Sequence, residues 1–292
     1  MTTFEKVFET LEATGTNWTA QKLPLISVCG KDTGSFGMFR SDNSHWLGTV
    51  KERYEPMQNS RLLELLVDAT GLLNLEVTNG GVLRQGSKIF YQMELQEEYI
   101  GKSAIKRHIT AVNSHDGSSS IAFGSTNTVV VCQNTFFKVH REMEKVKHTI
   151  SADGRVEAMA ANLKKTINSD ILMMDDFKRM ADLEMKDEIV ERVIRNMFSI
   201  DPSKQQTEVS SRKFNQVNEF AGALKTEIEL EGKTIWGLFN AVTRYTNHIA
   251  APSEAEKKMD YLMNGAGAKT SNTIFDDLVK YVDEHTQRYV NV

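Results

Sequence analysis

The apolar positions of this chain change period near residue 133. Before that point, short apolar runs alternate with Gly, Asn, Asp and Ser clusters, the pattern of strands joined by turns. Phe4, Val7, Phe8 and Leu11 recur at helical intervals behind capping-box spacing from Thr2 to Glu5, which predicts a short opening helix. Leu25 to Cys29, Gly37 to Arg40 and Trp46 to Val50 read as strands. Asn59 is placed to cap a Leu-rich helix over Arg61 to Thr70, with Gly71 as its stop. Strands resume at Leu73 to Thr78, Lys88 to Leu95, Ala104 to Val112, Ser120 to Phe123 and Thr128 to Cys132, with Asn79-Gly80-Gly81 and Asp116-Gly117 as turn signals. Connections this short exclude parallel crossovers, so the expectation is an antiparallel meander.

From Gln133 onward the period moves towards 3.6. Helices are expected over about Gln133 to Lys147, Arg155 to Leu183, Lys186 to Ser199, Ser210 to Glu229, Thr234 to Ile249, Glu254 to Met263 and Asn272 to His285. Asp201-Pro202-Ser203 and Pro252-Ser253 punctuate them, and Asn264 to Ser271 reads as a loop. The predicted fold class is α+β: an antiparallel β-meander with flanking helices in the N-terminal half and an all-helical C-terminal lobe. The expected domains are residues 1–150 and 151–292.

A hydrophobic content of 40% with only 4 Pro describes a folded chain of 292 residues, long enough for two cores. Formal net charge is −4, which removes the simple argument from a strongly basic domain to a polyanion. The charge is uneven, however: between Gly101 and His148 seven Lys and Arg face three acids. Cys29 and Cys132 are the only cysteines and lie far apart, so neither a disulfide framework nor a zinc site is indicated, and a reducing cytoplasm fits. The N-terminus has no export pattern and no run approaches the roughly 20 apolar residues of a membrane span, so a cytoplasmic protein is expected.

The stretch from Ala111 to Asn134 gathers Asn113, Ser114, His115, Asp116, Cys132 and Asn134 where two strands meet the next element. None of the seven histidines forms a His-Glu-x-x-His pair and no second His-Asp pair exists, so no metal and no cofactor is expected. His115-Asp116-Gly117 then reads as a turn whose side chains satisfy its own backbone. No Gly-x-Ser-x-Gly elbow is present, and Cys132 ends an apolar strand as a small hydrophobe would. The segment Asn264 to Thr270 departs from the phosphate-loop pattern, with Met263 and Ala268 where glycines are required.

Two helical faces carry more. On the helix expected from Asn134 to His148, Phe136, Val139, Met143 and Val146 share one side while Asn134, Lys138, Arg141 and Lys145 share another. That cationic row, with Lys102, Lys106 and Arg107 from a preceding strand, is spaced to follow a phosphate backbone, although Glu142 and Glu144 suit an ordinary solvated face. Further on, Trp236, Asn240, Thr243 and Asn247 align opposite the apolar side of their helix, a face suited to a base, a peptide or inter-lobe packing.

Four ordered motifs carry a resemblance: Leu47-Gly48-Thr49-Val50-x-x-x-Tyr54-x-Pro56-Met57-Gln58-Asn59, Val112-Asn113-Ser114-His115-Asp116-Gly117-Ser118, Val129-Val130-Val131-Cys132-x-Asn134-Thr135 and Trp236-x-x-x-Asn240-Ala241-Val242-Thr243. Together they resemble the phage/plasmid-like family built around a domain of unknown function, over about Trp46 to His248. The resemblance implies a mobile-element origin and supplies no catalytic residues to carry over. It marks Asn113, His115, Asp116, Asn134, Trp236 and Asn240 as family-motif positions, while the family's usual Arg in the third motif stands here as Val129. At the level of topology alone, the element order is similar to that of single-strand annealing proteins.

The resulting expectation is a phage or plasmid protein, cytoplasmic in its bacterial host, that binds single-stranded nucleic acid without catalysis as an annealing or recombination accessory factor. Lys102, Lys106, Arg107, Lys138, Arg141 and Lys145 would contact phosphates, exposed aromatics such as Trp46 or Trp236 would stack bases, and copies would assemble into an oligomer. Two alternatives stay open: a host-directed interaction or inhibitor protein, and an enzyme using His115, Asp116 and Asn134.

Overall fold

The computed structural model describes residues 3–118, 121–129, 134–139, 152–200 and 210–286. Helix α1 (Thr3–Ala13) leads into strands β1 (Ala20–Ile26), β2 (Asp32–Arg40) and β3 (Trp46–Val50), which form an antiparallel sheet in that order. Helix α2 (Asn59–Gly71) precedes the strands β4 (Val77–Leu83), β5 (Lys88–Glu94), β6 (Glu98–Ile100), β7 (Ser103–Ser114), β8 (Ala122–Val129) and β9 (Thr135–Val139). These form a second sheet of order β4-β5-β7-β8-β9, with β6 pairing β7. Then follow α3 (Ala152–Asp182), α4 (Asp187–Phe198), α5 (Ser211–Glu231), α6 (Ile235–Arg244) running into a π-helical turn at Tyr245–Ile249, α7 (Ala255–Met263) and α8 (Ala266–His285). The fold class is α+β, with sheets in the N-terminal half and helices after them. No helix of the described residues is long and apolar enough to cross a membrane.

The chain divides into two compact units. One comprises Met1–Gln96, His108–Thr126 and Val139–Ser169, the other Glu97–Arg107, Asn127–Lys138 and Asp170–Val292. In the first, Leu62, Leu63, Leu65 and Leu66 of α2 are fully buried among Ile89, Tyr91, Met93, Ile109 and Phe123. Each such side chain contributes about 1.5–3 kcal/mol by leaving water. The second has an aromatic centre in which Phe136, Phe177, Trp236, Phe239 and Phe275 pack with ring centroids 4.8–6.3 Å apart.

Several sequence expectations are corrected. Asn79-Gly80-Gly81 is the middle of β4, opposite Gln92, Tyr91 and Phe90, and not a turn. The glycines let rings cross the strand: a Cβ on Gly80 would stand 2.6 Å from Tyr91 Cδ1 and one on Gly81 2.9 Å from Phe90 Cε1. The actual reversal lies at Arg84, Gln85 and Gly86, whose φ values are 52°, 56° and 106°. The helix expected from Asn134 begins as strand β9, because Thr135, Phe136 and Phe137 favour extended backbone and both rings are buried. The rest of that expected helix, with Arg141 and Lys145, lies outside the described residues, as does Cys132. Asn59 is the first residue of α2 and not its cap, and Asn264 to Ser271 enters α8 at Ala266.

Candidate nucleic-acid interface and buried polar clusters

The β6–β7 hairpin brings an exposed aromatic side chain together with exposed basic ones. Gly101, at φ 57°, makes the reversal that sets Tyr99 opposite Ala104 and Ile100 opposite Ser103. Alternation then decides which residues meet water: Ser103, Ile105 and Arg107 turn inward while Lys106 is exposed. Tyr99 is 64% exposed, and its register places Lys106 diagonally across the hairpin from it. Lys102, at the turn itself, is also exposed.

Of the other basic positions, Arg107 and Lys138 are engaged elsewhere, and Arg141 and Lys145 lie outside the described residues. Arg107 is buried, and its Nε and Nη2 donate to Asp170 Oδ2 at 2.8 and 2.6 Å while Nη1 donates to Glu98 Oε2 at 2.8 Å. Its guanidinium therefore stands inside the unit, away from any backbone phosphate at the surface. Lys138 pairs with Asp276 at 2.6 Å and lies 4.2 Å from the centre of the Phe275 ring. Of the two suggested stacking tryptophans, Trp46 is 55% exposed, whereas Trp236 is buried and donates its Nε1–H to Glu231 Oε2 at 3.2 Å.

In the first unit, two of the sequence motifs meet at the His115 turn. The Asn59 Nδ2 donates to Thr16 and Trp18 carbonyls, leaving Asn59 Oδ1 to accept from His115 Nε2 at 2.8 Å. That assigns the Nε2–H tautomer and leaves His115 Nδ1 a buried acceptor with no partner. Burial pushes the imidazole pKa down to about 4, against a smaller opposing pull from Asp116. Asn113 Nδ2 donates to Met57 O at 3.2 Å, and the Tyr54 hydroxyl donates to Ser114 O at 3.0 Å. The Tyr54 hydroxyl is pushed up to about 12, first by burial and then by Asp116. Burial also raises the Asp116 carboxyl, but hydrogen bonds from Ser114 and Ser118 outweigh it and hold the group below the usual carboxylate range. Gly48 lies directly against Asp116, where a Cβ would stand 2.8 Å from the Asp116 Cβ. The His115 turn thus joins strand to loop by hydrogen bonds.

In the second unit the other two motifs meet. Asn134 Nδ2 donates to Glu227 Oε1 and Asn240 O, each at 3.1 Å, and Arg244 Nε donates to the same Glu227 oxygen at 2.6 Å. Asn127 Nδ2 donates to Asp170 Oδ1 at 3.2 Å. Asn127, Asn134, Asn240 and Thr243 line a cavity of about 10 Å³ together with Phe136, Phe177, Trp236 and Phe239. Asp170 and Glu227 are both fully buried. Nothing in composition revealed these two carboxylates, yet their spacing did contain a signal. Asp170 follows Leu163 and Ile167 and precedes Met174 and Phe177 at helical intervals, and Glu227 follows Phe220 and Ala223. A charge on an apolar stripe predicts a buried partner.

His115 and Asp116 belong to one unit and Asn134 to the other. Among the described residues, no group of three His, Cys, Asp or Glu gathers to hold a metal ion. A protein-family model described as a domain of unknown function, DUF932, matches residues 46–278. No curated protein and no solved structure gives a significant match.

Proposed function

This chain belongs to the DUF932 family, and we propose that it is a phage- or plasmid-encoded protein that binds single-stranded nucleic acid without catalysis, as an annealing or recombination accessory factor in the host cytoplasm. The observation that carries this reading is the β6–β7 hairpin, where exposed Tyr99 stands beside exposed Lys106 and near Lys102. A stacking ring flanked by cations suits single strands because every base offers a π-face and every nucleotide a phosphate. Arg107 drops out of the contact set, since Asp170 and Glu98 occupy it, and Trp236 drops out because it is buried. Side-by-side assembly of copies along a strand belongs to the same proposal. Tyr99→Ala is expected to weaken binding of a short single-stranded DNA by roughly 1–3 kcal/mol, the usual value of one stacked base. Equal affinity of Tyr99→Ala and the unaltered protein would refute the hairpin as the contact surface.

A second reading, a host-directed interaction or inhibitor protein with no nucleic-acid activity, is favoured by a different observation. Leu23, Ile26 and Trp46 of the β1–β2–β3 sheet, with Val28 beside it, are 48%, 64%, 55% and 110% exposed. Exposed apolar side chains gathered on one small sheet are what a protein partner covers. Stoichiometric capture of a host protein that is lost in Ile26→Lys, with no binding of DNA or RNA at low salt, would establish this reading over the first.

A further inference from the structure

The end of α5 carries charges that a helix end resists. Glu227, Glu229 and Glu231 close the helix, and no basic residue stands in its last turn. The carbonyls at a helix C-terminus make that end negative, so a carboxylate there is repelled. Glu231 is the final residue of α5; burial, the largest cause, and then the charge of Glu227 raise its carboxyl above the usual carboxylate range. Local preferences broken in this way point to a use.

What holds Glu231 is the β6–β7 hairpin on one side and α6 on the other. Ser103 Oγ donates to Glu231 Oε1, and Trp236 Nε1 donates to Glu231 Oε2 at 3.2 Å. Both oxygens are engaged. Ser103 directly follows Lys102 at the turn, so the carboxylate lies beside the exposed cation of the hairpin. Among the described residues, Glu227 and Lys102 are the charged groups that act on Glu231, and Lys102 is the one that offsets its charge.

We propose that Glu231 is an acidic counterweight within the hairpin contact, competing with the phosphate of a bound single strand for Lys102 and so limiting affinity. This rests on the hairpin being the single-strand contact surface. A phosphate paired with Lys102 comes within a Debye length of the carboxylate, about 10 Å, so the two repel each other. The repulsion ends when Glu231 takes up a proton. Burial makes that happen at a higher pH than for an exposed Glu, so acidification strengthens binding through this group.

Glu231→Gln removes the charge and keeps the shape, because the amide Nε2 can donate to Ser103 Oγ while Oε1 accepts from Trp236 Nε1. The probe is a short oligothymidine titrated against the full chain at constant low salt. At neutral pH Glu231→Gln is expected to bind about two- to fivefold more tightly than the unaltered protein, and the gap closes as pH falls. A residue that merely braces the hairpin gives no change or the opposite sign. Equal or weaker binding by Glu231→Gln therefore overturns the proposal and leaves Ser103, Glu231 and Trp236 as a brace. Where that variant does not fold, the pH profile decides: affinity of the unaltered protein climbs on acidification and climbs less in Lys102→Met, whereas parallel profiles overturn the proposal. No binding by any of these proteins would strike the hairpin reading itself, and the role of Glu231 with it.

Discussion

The Asn247 side chain pairs with both main-chain groups of Thr135: its Oδ1 accepts from Thr135 N at 3.0 Å and its Nδ2 donates to Thr135 O at 3.0 Å. An amide side chain thereby takes the place of a neighbouring strand along β9. Asn272 Nδ2 continues the cover by donating to Phe137 O at 2.9 Å. The same device recurs in the first unit, where Gln58 Oε1 accepts from Ala20 N at 2.8 Å and Gln58 Nε2 donates to Ala20 O at 3.0 Å. Exposed strand edges invite pairing with other chains, and these amides occupy the positions such a chain would use. Asn247→Ala would strip both Thr135 groups of their partner, with an expected loss of about 2–4 kcal/mol in chemical denaturation. Stability within about 0.5 kcal/mol of the unaltered protein would show that water replaces the amide at no cost.

A buried histidine makes stability depend on pH in a defined direction. The His115 pKa falls from 6.5 to about 4 on folding, so the unfolded chain binds its proton more readily. The contribution is therefore fully present above about pH 6.5, is lost progressively as pH falls towards 4, and is constant below that. A fall of this size makes the native state roughly 3 kcal/mol less stable, relative to the unfolded chain, at the acid end of the window than at neutral pH. His115→Phe removes the bond to Asn59 and lowers stability at neutral pH, but its stability should fall less steeply across this window. Parallel curves for the two proteins would contradict the assignment.

Two glycines should respond oppositely to alanine. At Gly48 a Cβ would meet Asp116 Cβ at 2.8 Å and Asp116 Cα at 2.9 Å, so Gly48→Ala must displace the His115 turn and is expected to cost about 1–3 kcal/mol. Gly71, the last residue of α2, has open space around it, and Gly71→Ala is expected to add about 0.5–1 kcal/mol. Denaturant midpoints of the two variants, moving in opposite directions from the parent, provide the check.

Lys106 and Arg107 are adjacent, yet their removal should have different consequences. Arg107→Met leaves fully buried Asp170 without its guanidinium, at an expected cost of about 3–5 kcal/mol, and Asp170→Leu in the same chain should recover a large part of it. Lys106→Met sits on an exposed face and should change stability by less than about 0.5 kcal/mol. A double-mutant cycle by denaturation measures the coupling directly.

Much of the helical half was legible because α4 to α6 keep their apolar stripes and are bounded by Ser210, Gly232 and Pro252. The four motifs were legible as a family signature, but their purpose was not, since they meet only in the folded units. What misled was glycine and phenylalanine. Gly80, Gly81 and Gly267 read as turn or loop residues when considered locally, but Tyr91, Phe90 and Tyr261 require them to be small. Phe136 fits a helical stripe as well as a strand, and tertiary burial on both sides of β9 decided between them. The basic positions were all visible, but which of them reaches solvent depended on β7 alternation and on Asp170, 63 positions from Arg107. Asn240 and Asn247 were expected opposite the apolar side of their helix, on a face suited to a base, a peptide or inter-lobe packing, and both are buried with their amides engaged.

Single-strand binding through the β6–β7 hairpin is checked by titrating the purified full chain with single-stranded DNA across a salt series, alongside Lys102→Glu/Lys106→Glu. Each phosphate contact on a single strand contributes about −0.7 to the slope of log affinity against log salt. Binding at low salt should weaken as salt rises, with the double variant binding at least about tenfold more weakly and a slope shallower by roughly 1.4. No binding at low salt, or binding whose affinity and slope are the same in the double variant, would contradict it.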